Sequence, residues 1–113
     1  MLKFIKSVSC ALSGIVSALK TERHMRIHMI AVVLVIAAGV YRAVSVIEWC
    51  LLLICCGMVV AAELFNTALE AIVDLVSPEY HMLAKRAKDC AAGAVLVLAS
   101  ISVAVAFFIF VIS

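Results

Sequence analysis

The stretch IEWCLLLICCGMVVAAELFNTALEAIVDLV, residues 47–76, decides the fold of this chain. Read as one helix, its roughly thirty residues span about 45 Å. The hydrocarbon core of a bilayer is only about 30 Å thick, so one end of this helix has to project into headgroups or water. Because polar side chains gather between Glu63 and Asp74, we predict a membrane-crossing helix whose second end leaves the bilayer.

The composition of the whole chain is that of a membrane protein. Of its 113 residues, 68% are apolar and 14% are charged, which excludes an ordinary soluble fold, and the length fits a single domain over 1–113. A formal net charge of +2 gives no reason to expect a nucleic-acid partner. The cysteines are odd in number and lack the paired spacing of a zinc or redox site, so we interpret them as small membrane residues: Cys10, Cys50, Cys55, Cys56 and Cys90.

Two further apolar blocks flank the central stretch. Residues 27–46 form a shorter block that Arg42 interrupts near its end, and residues 78–112 are almost free of charge after Asp89. The residue before a proline resists helical geometry, so Ser77 is expected to cap the third crossing helix with Pro78 in its first turn. We predict three crossings, over about 27–46, 47–76 and 78–112.

The N-terminal segment, residues 2–20, is amphipathic and has no continuous apolar core, so a cleavable signal peptide is not expected. A helix of this kind lies in the headgroup plane with its lysines near anionic lipid. The predicted fold class is an all-α membrane protein with three transmembrane helices and an N-terminal amphipathic surface helix. The apolar face of that helix holds Phe4, Ile5, Val8, Leu12, Ile15, Val16 and Leu19, and the polar face holds Lys3, Lys6, Ser9, Ser13, Ser17 and Lys20.

The distribution of basic residues predicts the orientation in the membrane. Basic residues concentrate before the first crossing and between the second and third, whereas Arg42 alone lies between the first and second. This asymmetry places the N-terminus in the cytoplasm of a multi-pass plasma-membrane protein. The cytoplasmic set is Lys3, Lys6, Lys20, Arg23, Arg26, Lys85, Arg86 and Lys88.

Four polar residues of the central helix form a stripe, which we call the acid stripe: Glu63, Asn66, Glu70 and Asp74. Helical geometry places them within an arc of about 80° over a length of about 16 Å. An acid at membrane depth costs roughly 2.5 to 3.5 kcal/mol and usually faces a bundle interior, water or a partner. Glu70 and Asp74 are also explained by a solvated helix end. Glu63, if unpaired and desolvated, suits a group that accepts a proton.

The same spacing favours a hard cation. Carboxylates without cysteine or histidine among them prefer Mg²⁺, which takes oxygen ligands and usually arrives with phosphate. An ion-conducting or proton-relay helix would show a similar stripe, so both interpretations stay open at this point.

Two polar clusters lie on the predicted cytoplasmic side. Residues 20–28 contain Glu22 among several cations, and Glu22 is able to join a metal site, although a membrane anchor explains the cations. In residues 79–89, basic side chains recur at helical spacing, as a phosphate-binding edge needs, although a solvated basic turn would look similar. The second cluster contains His81, Lys85, Lys88 and Asp89. No ligand spacing among the three histidines indicates zinc.

Four segments together resemble the prokaryotic diacylglycerol kinase family, small membrane enzymes that include an undecaprenol kinase branch. The segments are residues 20–23 (KTER), 63–74 (ELFNTALEAIVD), 77–81 (SPEYH) and 84–89 (AKRAKD). The resemblance covers nearly the whole chain. It implies a homotrimer with active sites shared between subunits, which transfers the γ-phosphate of ATP to the hydroxyl of a membrane lipid.

The resemblance also implies residue roles. Glu63 corresponds to the general base that faces the lipid hydroxyl, Glu22 and Glu70 to ligands of Mg²⁺, and Asn66 and Asp74 to their supporting neighbours. The implied ATP-binding set is Lys3, Cys10, Glu22, Asn66, Glu70, Asp74, Glu79, Tyr80, His81, Lys88 and Asp89.

Two positions depart from the family pattern. Cys10 stands where many relatives have a tyrosine near the nucleotide, and His28 stands where one branch has a glutamate. The motifs at residues 20–28 and 77–81 are closer to the undecaprenol branch, so undecaprenol is the favoured substrate and diacylglycerol the alternative. A non-enzymatic proton or cation pathway, or a regulatory membrane subunit, is the competing class.

Overall fold

A computed structural model describes all 113 residues of the chain as helices and short connections. The helices are α1 (Leu2–Thr21), α2 (Arg23–Arg42), α3 (Val46–Val76) and α4 (Met82–Phe107), and a π-helical turn (Phe108–Ile112) extends α4. The all-α class is therefore confirmed. All four helices are long and apolar enough to cross a membrane, which fits a multi-pass protein. The surface position of α1 and the homotrimer stay predictions.

The chain folds around a hairpin of α3 and α4. Helix α2 packs against α3, and α1 packs mainly against α2, giving a flat molecule with extents of 49 × 41 × 20 Å. Only nine residues are buried, and most large apolar side chains point outward. So much exposed apolar surface is suited to lipid or to neighbouring subunits rather than to water.

Helix α2 lies four residues earlier in the chain than the predicted 27–46. Its start at Arg23 follows directly from the extended backbone of Glu22, which separates α1 from α2. The guanidinium of Arg26 then donates to the carbonyls of Leu19 and Lys20, at 2.9 and 3.1 Å. These bonds satisfy carbonyls that the end of α1 leaves without partners.

The turn between α2 and α3 explains why α2 ends at Arg42. Ala43 adopts a left-handed conformation, with φ of 50°, and its N–H bonds back to the carbonyls of Gly39 and Val40. Next to this turn, a Cβ on Gly39 would lie 2.6 Å from Cη2 of Trp49. Glycine at position 39 therefore lets the backbone of α2 approach the indole ring on α3.

A set of hydrogen bonds fastens this turn to the C-terminus of the chain, and we call it the turn clasp. Ser45 and Glu48 form a reciprocal capping box at the start of α3. Arg42 donates to the carbonyl of Phe110 at 2.8 Å, and the hydroxyl of Ser113 donates to Glu48 at 3.3 Å. The turn clasp joins three elements at one end of the molecule.

The connection between α3 and α4 corrects one prediction. Ser77 and Pro78 do not begin the last helix, because residues 77–81 form a loop and α4 begins at Met82. The Ser77 hydroxyl donates to the carbonyl of Glu79 at 2.9 Å and so does not serve as a cap. Instead, Nδ1 of His81 accepts a hydrogen bond from the N–H of Leu83 at 3.0 Å.

Candidate active site

The acid stripe lies on one face of α3 and changes from buried to exposed along the helix. Glu63 is 3% exposed and Asn66 is 8% exposed. Glu70 is half-buried, and Asp74 is exposed. One side of a single helix thus carries polar groups from the interior of the fold to its edge.

Glu63 is desolvated, but it is not unpaired. The Nε2 atom of His28, on α2, lies 3.3 Å from Oε2 of Glu63, and the two side chains are 20% and 4% exposed. A buried carboxylate without a partner is expensive, so this contact explains how Glu63 is tolerated inside the fold.

The relative lengths of α2 and α3 are enough to predict that His28 lies near the depth of Glu63. Helix α2 has 20 residues and α3 has 31, so α3 extends about 16 Å further if both are aligned at the turn clasp. His28 lies about 8 Å from the start of α2, and Glu63 lies about 20 Å from the end of α3. The two side chains are therefore at the same depth to within about one helical turn.

Asn66 and Glu70 form the second part of the site. The amide nitrogen of Asn66 donates to Oε1 of Glu70 at 3.0 Å. The amide oxygen of Asn66 is buried and has no hydrogen-bond partner, and the same is true of the Thr67 hydroxyl on the neighbouring residue. A carboxylate next to an unsatisfied amide oxygen fits the oxygen-ligand chemistry of Mg²⁺.

A polar cavity of about 340 Å³, which we call the loop cavity, lies where α3, the 77–81 loop and α4 meet. Lys88 on α4 donates to the carboxylate of Asp74 on α3 at the edge of this cavity. Lys85, which also lines it, pairs with Asp89 at 2.6 Å. Five of the predicted ATP-binding residues line the loop cavity: Asp74, Glu79, Tyr80, His81 and Lys88.

Other predicted site residues are not brought to this cavity within one chain. Lys3 and Cys10 lie on an exposed part of α1 and do not line it. Glu22 is half-buried between α1 and α2, and its carboxylate forms no ion pair. No group of three or more histidine, cysteine or acidic side chains gathers closely enough to hold a metal ion.

An apolar groove of about 230 Å³ runs between α2, α3 and α4, and we call it the His28 groove. Its walls include Val32 and Val35 on α2, Val59 on α3 and Val103 on α4. His28 also lines this groove, so apolar surface leads to the residue that contacts Glu63. The arrangement places an apolar groove next to the histidine that contacts a buried carboxylate, and Lys88 with its partner Asp74 at a polar cavity.

Fold and site together define a multi-pass helical membrane protein with a buried carboxylate and a polar cavity at one end. Residues 9–110 match the family described as prokaryotic diacylglycerol kinase. An undecaprenol kinase of Bacillus subtilis (strain 168) is 42% identical over 108 residues, covering 96% of this chain and 88% of the relative. The chain belongs to the prokaryotic diacylglycerol kinase family and is a lipid kinase.

Two diacylglycerol kinases are also similar to this chain. The one from Synechocystis sp. (strain ATCC 27184 / PCC 6803 / Kazusa) is 46% identical over 96 residues, covering 84% of this chain but 55% of the relative. The one from Escherichia coli (strain K12) is 33% identical over 101 residues, covering 89% of this chain and 83% of the relative. Because members of this family are lipid kinases, the competing interpretations of the sequence, an ion pathway or a regulatory subunit, are not supported.

Proposed function

We propose that this protein transfers the γ-phosphate of ATP to the hydroxyl of undecaprenol, giving undecaprenyl phosphate and ADP. The observation that carries the proposal is the graded burial of the acid stripe, from Glu63 inside the fold to exposed Asp74. One face of α3 thereby offers a buried acid to a membrane alcohol and exposed groups to a soluble nucleotide.

In the proposed reaction, Glu63 is the general base and contacts the lipid substrate. A lipid hydroxyl is a weak nucleophile, so a positioned carboxylate takes its proton as the oxygen attacks the γ-phosphorus. The proton remains on Glu63 while ADP leaves. Burial of Glu63 and its contact with His28, which lines the apolar His28 groove, support this role.

Mg²⁺ is the proposed cofactor, with Glu22 and Glu70 as its protein ligands. When bound, Mg²⁺ offsets negative charge on the phosphates during transfer. The free amide oxygen of Asn66 beside Glu70 supports a site for such an ion. Because no group of three or more histidine, cysteine or acidic side chains in one chain could hold a metal ion, we propose that neighbouring subunits of a homotrimer complete the site.

The nucleotide is proposed to occupy the loop cavity. Lys88, in the second turn of α4, lines this cavity, and Asp89 follows it in the helix. Glu79, Tyr80 and His81 belong to the loop that forms the cavity. Lys3 and Cys10 would reach the nucleotide from the surface helix. Since ATP is cytoplasmic, the loop cavity and the N-terminus are proposed to face the cytoplasm at the plasma membrane.

The substrate assignment follows the undecaprenol kinase relative, which this chain matches over 88% of its length. Diacylglycerol is the second candidate, because the Synechocystis and Escherichia coli relatives are diacylglycerol kinases.

A direct competition distinguishes these substrates. The purified protein is supplied with undecaprenol and a diacylglycerol at equal mole fractions in the same mixed micelles, with Mg²⁺ and ATP labelled at the γ-phosphate. We expect kcat/KM to be at least about tenfold higher for undecaprenol, which corresponds to roughly 1.4 kcal/mol. A higher kcat/KM for diacylglycerol would make diacylglycerol the assigned substrate instead of undecaprenol. If neither lipid is phosphorylated, the proposed function is wrong.

A further inference from the structure

His28 is the one residue in the chain that contacts the carboxylate of Glu63 through a polar atom, at 3.3 Å. Glu63 accepts no hydrogen bond from the backbone or from another side chain of the acid stripe, because Asn66 donates to Glu70 instead. The orientation of the buried carboxylate therefore depends on a single residue of a neighbouring helix.

The two carboxylate oxygens differ in their surroundings. His28 approaches Oε2, and Oε1 has no partner in the chain. The side chain of Glu63 is 4% exposed, so the fold covers almost all of this carboxylate. Within the chain, Oε1 is thus the oxygen that accepts no hydrogen bond and lies farther from His28.

His28 also connects Glu63 to the His28 groove. The histidine shares the wall of this groove with Val32, Val35 and Val103, and its side chain is 80% buried. An apolar chain lying in the groove would therefore end beside the imidazole ring, near the carboxylate. A terminal hydroxyl on that chain would lie beside His28, the residue that contacts Glu63.

We propose that His28 is a positioning residue for the phosphoryl transfer. The contact of its Nε2 with Oε2 restrains the carboxylate of Glu63, so that Oε1 is turned toward the lipid hydroxyl at the end of the His28 groove. This inference rests on the proposed role of Glu63 as general base. A misplaced reacting group costs up to about 100-fold in rate, so loss of the contact lowers kcat rather than substrate binding.

Two substitutions separate positioning from packing. His28→Leu removes the donor and keeps an apolar side chain of similar size, whereas His28→Gln keeps an N–H donor at similar reach. We expect His28→Leu to lower kcat by about 10- to 100-fold with KM for ATP and lipid unchanged within about threefold. His28→Gln should recover kcat to within about threefold of the original protein.

A matched control uses the exposed histidine one turn earlier on the same helix. His24→Leu makes the same chemical change without a contact to Glu63, so kcat should stay at its original value. Equal kcat in His28→Leu and His28→Gln, whether high or low, would overturn the inference. A loss confined to KM for the lipid would also overturn it.

A spectroscopic measurement keeps the inference testable if His28→Leu does not fold. In the ¹⁵N-labelled protein, the Nε2 resonance of His28 should shift in Glu63→Gln and stay in place in Glu48→Gln. No shift in Glu63→Gln would contradict the contact. Different results would contradict the proposed function itself. These are an unmodified protein that phosphorylates no lipid, or a fully active Glu63→Gln variant.

Discussion

The two halves of α3 differ in whether their polar groups have hydrogen-bond partners within the chain. At the Val46 end, Ser45 and Glu48 satisfy each other in a capping box, and Ser113 adds a further bond to Glu48. In the half of α3 nearer Val76, the amide oxygen of Asn66 and the hydroxyl of Thr67 are buried without partners. The polar groups near Val46 therefore find their hydrogen-bond partners within the chain, whereas two buried polar atoms in the other half do not.

The two ends of α3 contribute to the free energy of folding with opposite sign. A buried polar group without a partner costs about 1–3 kcal/mol, whereas a capping interaction contributes about 1 kcal/mol. The Val46 end therefore stabilises the fold, while the Val76 end carries a cost that a ligand or a neighbouring subunit would relieve. Substitutions at the two ends should consequently affect different measurements.

The largest expected effect comes from removing the proposed base. Glu63→Gln keeps the size of the side chain and removes its ability to accept a proton, so kcat should fall by about 10²- to 10⁴-fold. The matched control is Glu48→Gln, the same change on the same helix, which preserves the capping box. The measurement is transfer of labelled phosphate to lipid. Equal activity of the two variants would show that Glu63 is no more important for catalysis than Glu48.

The second largest effect is expected at the contact between α2 and α3. In Gly39→Ala, the new Cβ would lie 2.6 Å from the Trp49 ring, so overpacking should cost about 1–3 kcal/mol. Thermal unfolding in detergent should show a lower Tm. Adding Trp49→Phe should restore part of the loss, and Gly57→Ala serves as a control because a Cβ there meets nothing within 4 Å.

A smaller effect is expected at the loop cavity. Lys88→Met removes the cation that contacts Asp74, and KM for ATP should rise about tenfold while KM for the lipid stays constant. Arg86→Met, a neighbouring basic residue that does not line the cavity, is the control. Parallel increases in both KM values for Lys88→Met would point to a structural role instead.

The smallest effect is expected at the capping box. Ser45→Ala removes the hydroxyl that accepts from the N–H of Glu48, and this should lower stability by about 1 kcal/mol. Specific activity at low temperature should be unchanged, because the turn clasp lies at the other end of α3. A loss of activity without a loss of stability would show that the two ends are coupled.

The sequence was sufficient to predict the parts of the fold that depend on local pattern. The period of the acid stripe correctly placed Glu63 to Asp74 on one face, and the apolar blocks correctly indicated long helices. The start of α4 was wrong because two local signals compete there. Pro78 favours an early start, but the imidazole of His81 provides the cap that forms.

Contacts between helices were harder to predict, because they depend on depth and on side chains far apart in the sequence. His28 and Glu63 are 35 positions apart, and only the relative lengths of α2 and α3 bring them together. The approach of Gly39 to Trp49 has a similar origin. Lys3, Cys10 and Glu22 belong to a part of the predicted site that one chain does not assemble, so their roles stay predictions.

From the length of α3 we expect the activity to depend on bilayer thickness. The helix is one rod of 31 residues, and Glu63 lies about 27 Å along it from Ser45. In a thicker bilayer this carboxylate would sink toward the acyl tails, and in a thinner one it would rise among the headgroups, away from the buried alcohol. Turnover should therefore peak at one acyl-chain length of the host lipid, which makes the kinase responsive to the membrane that surrounds it.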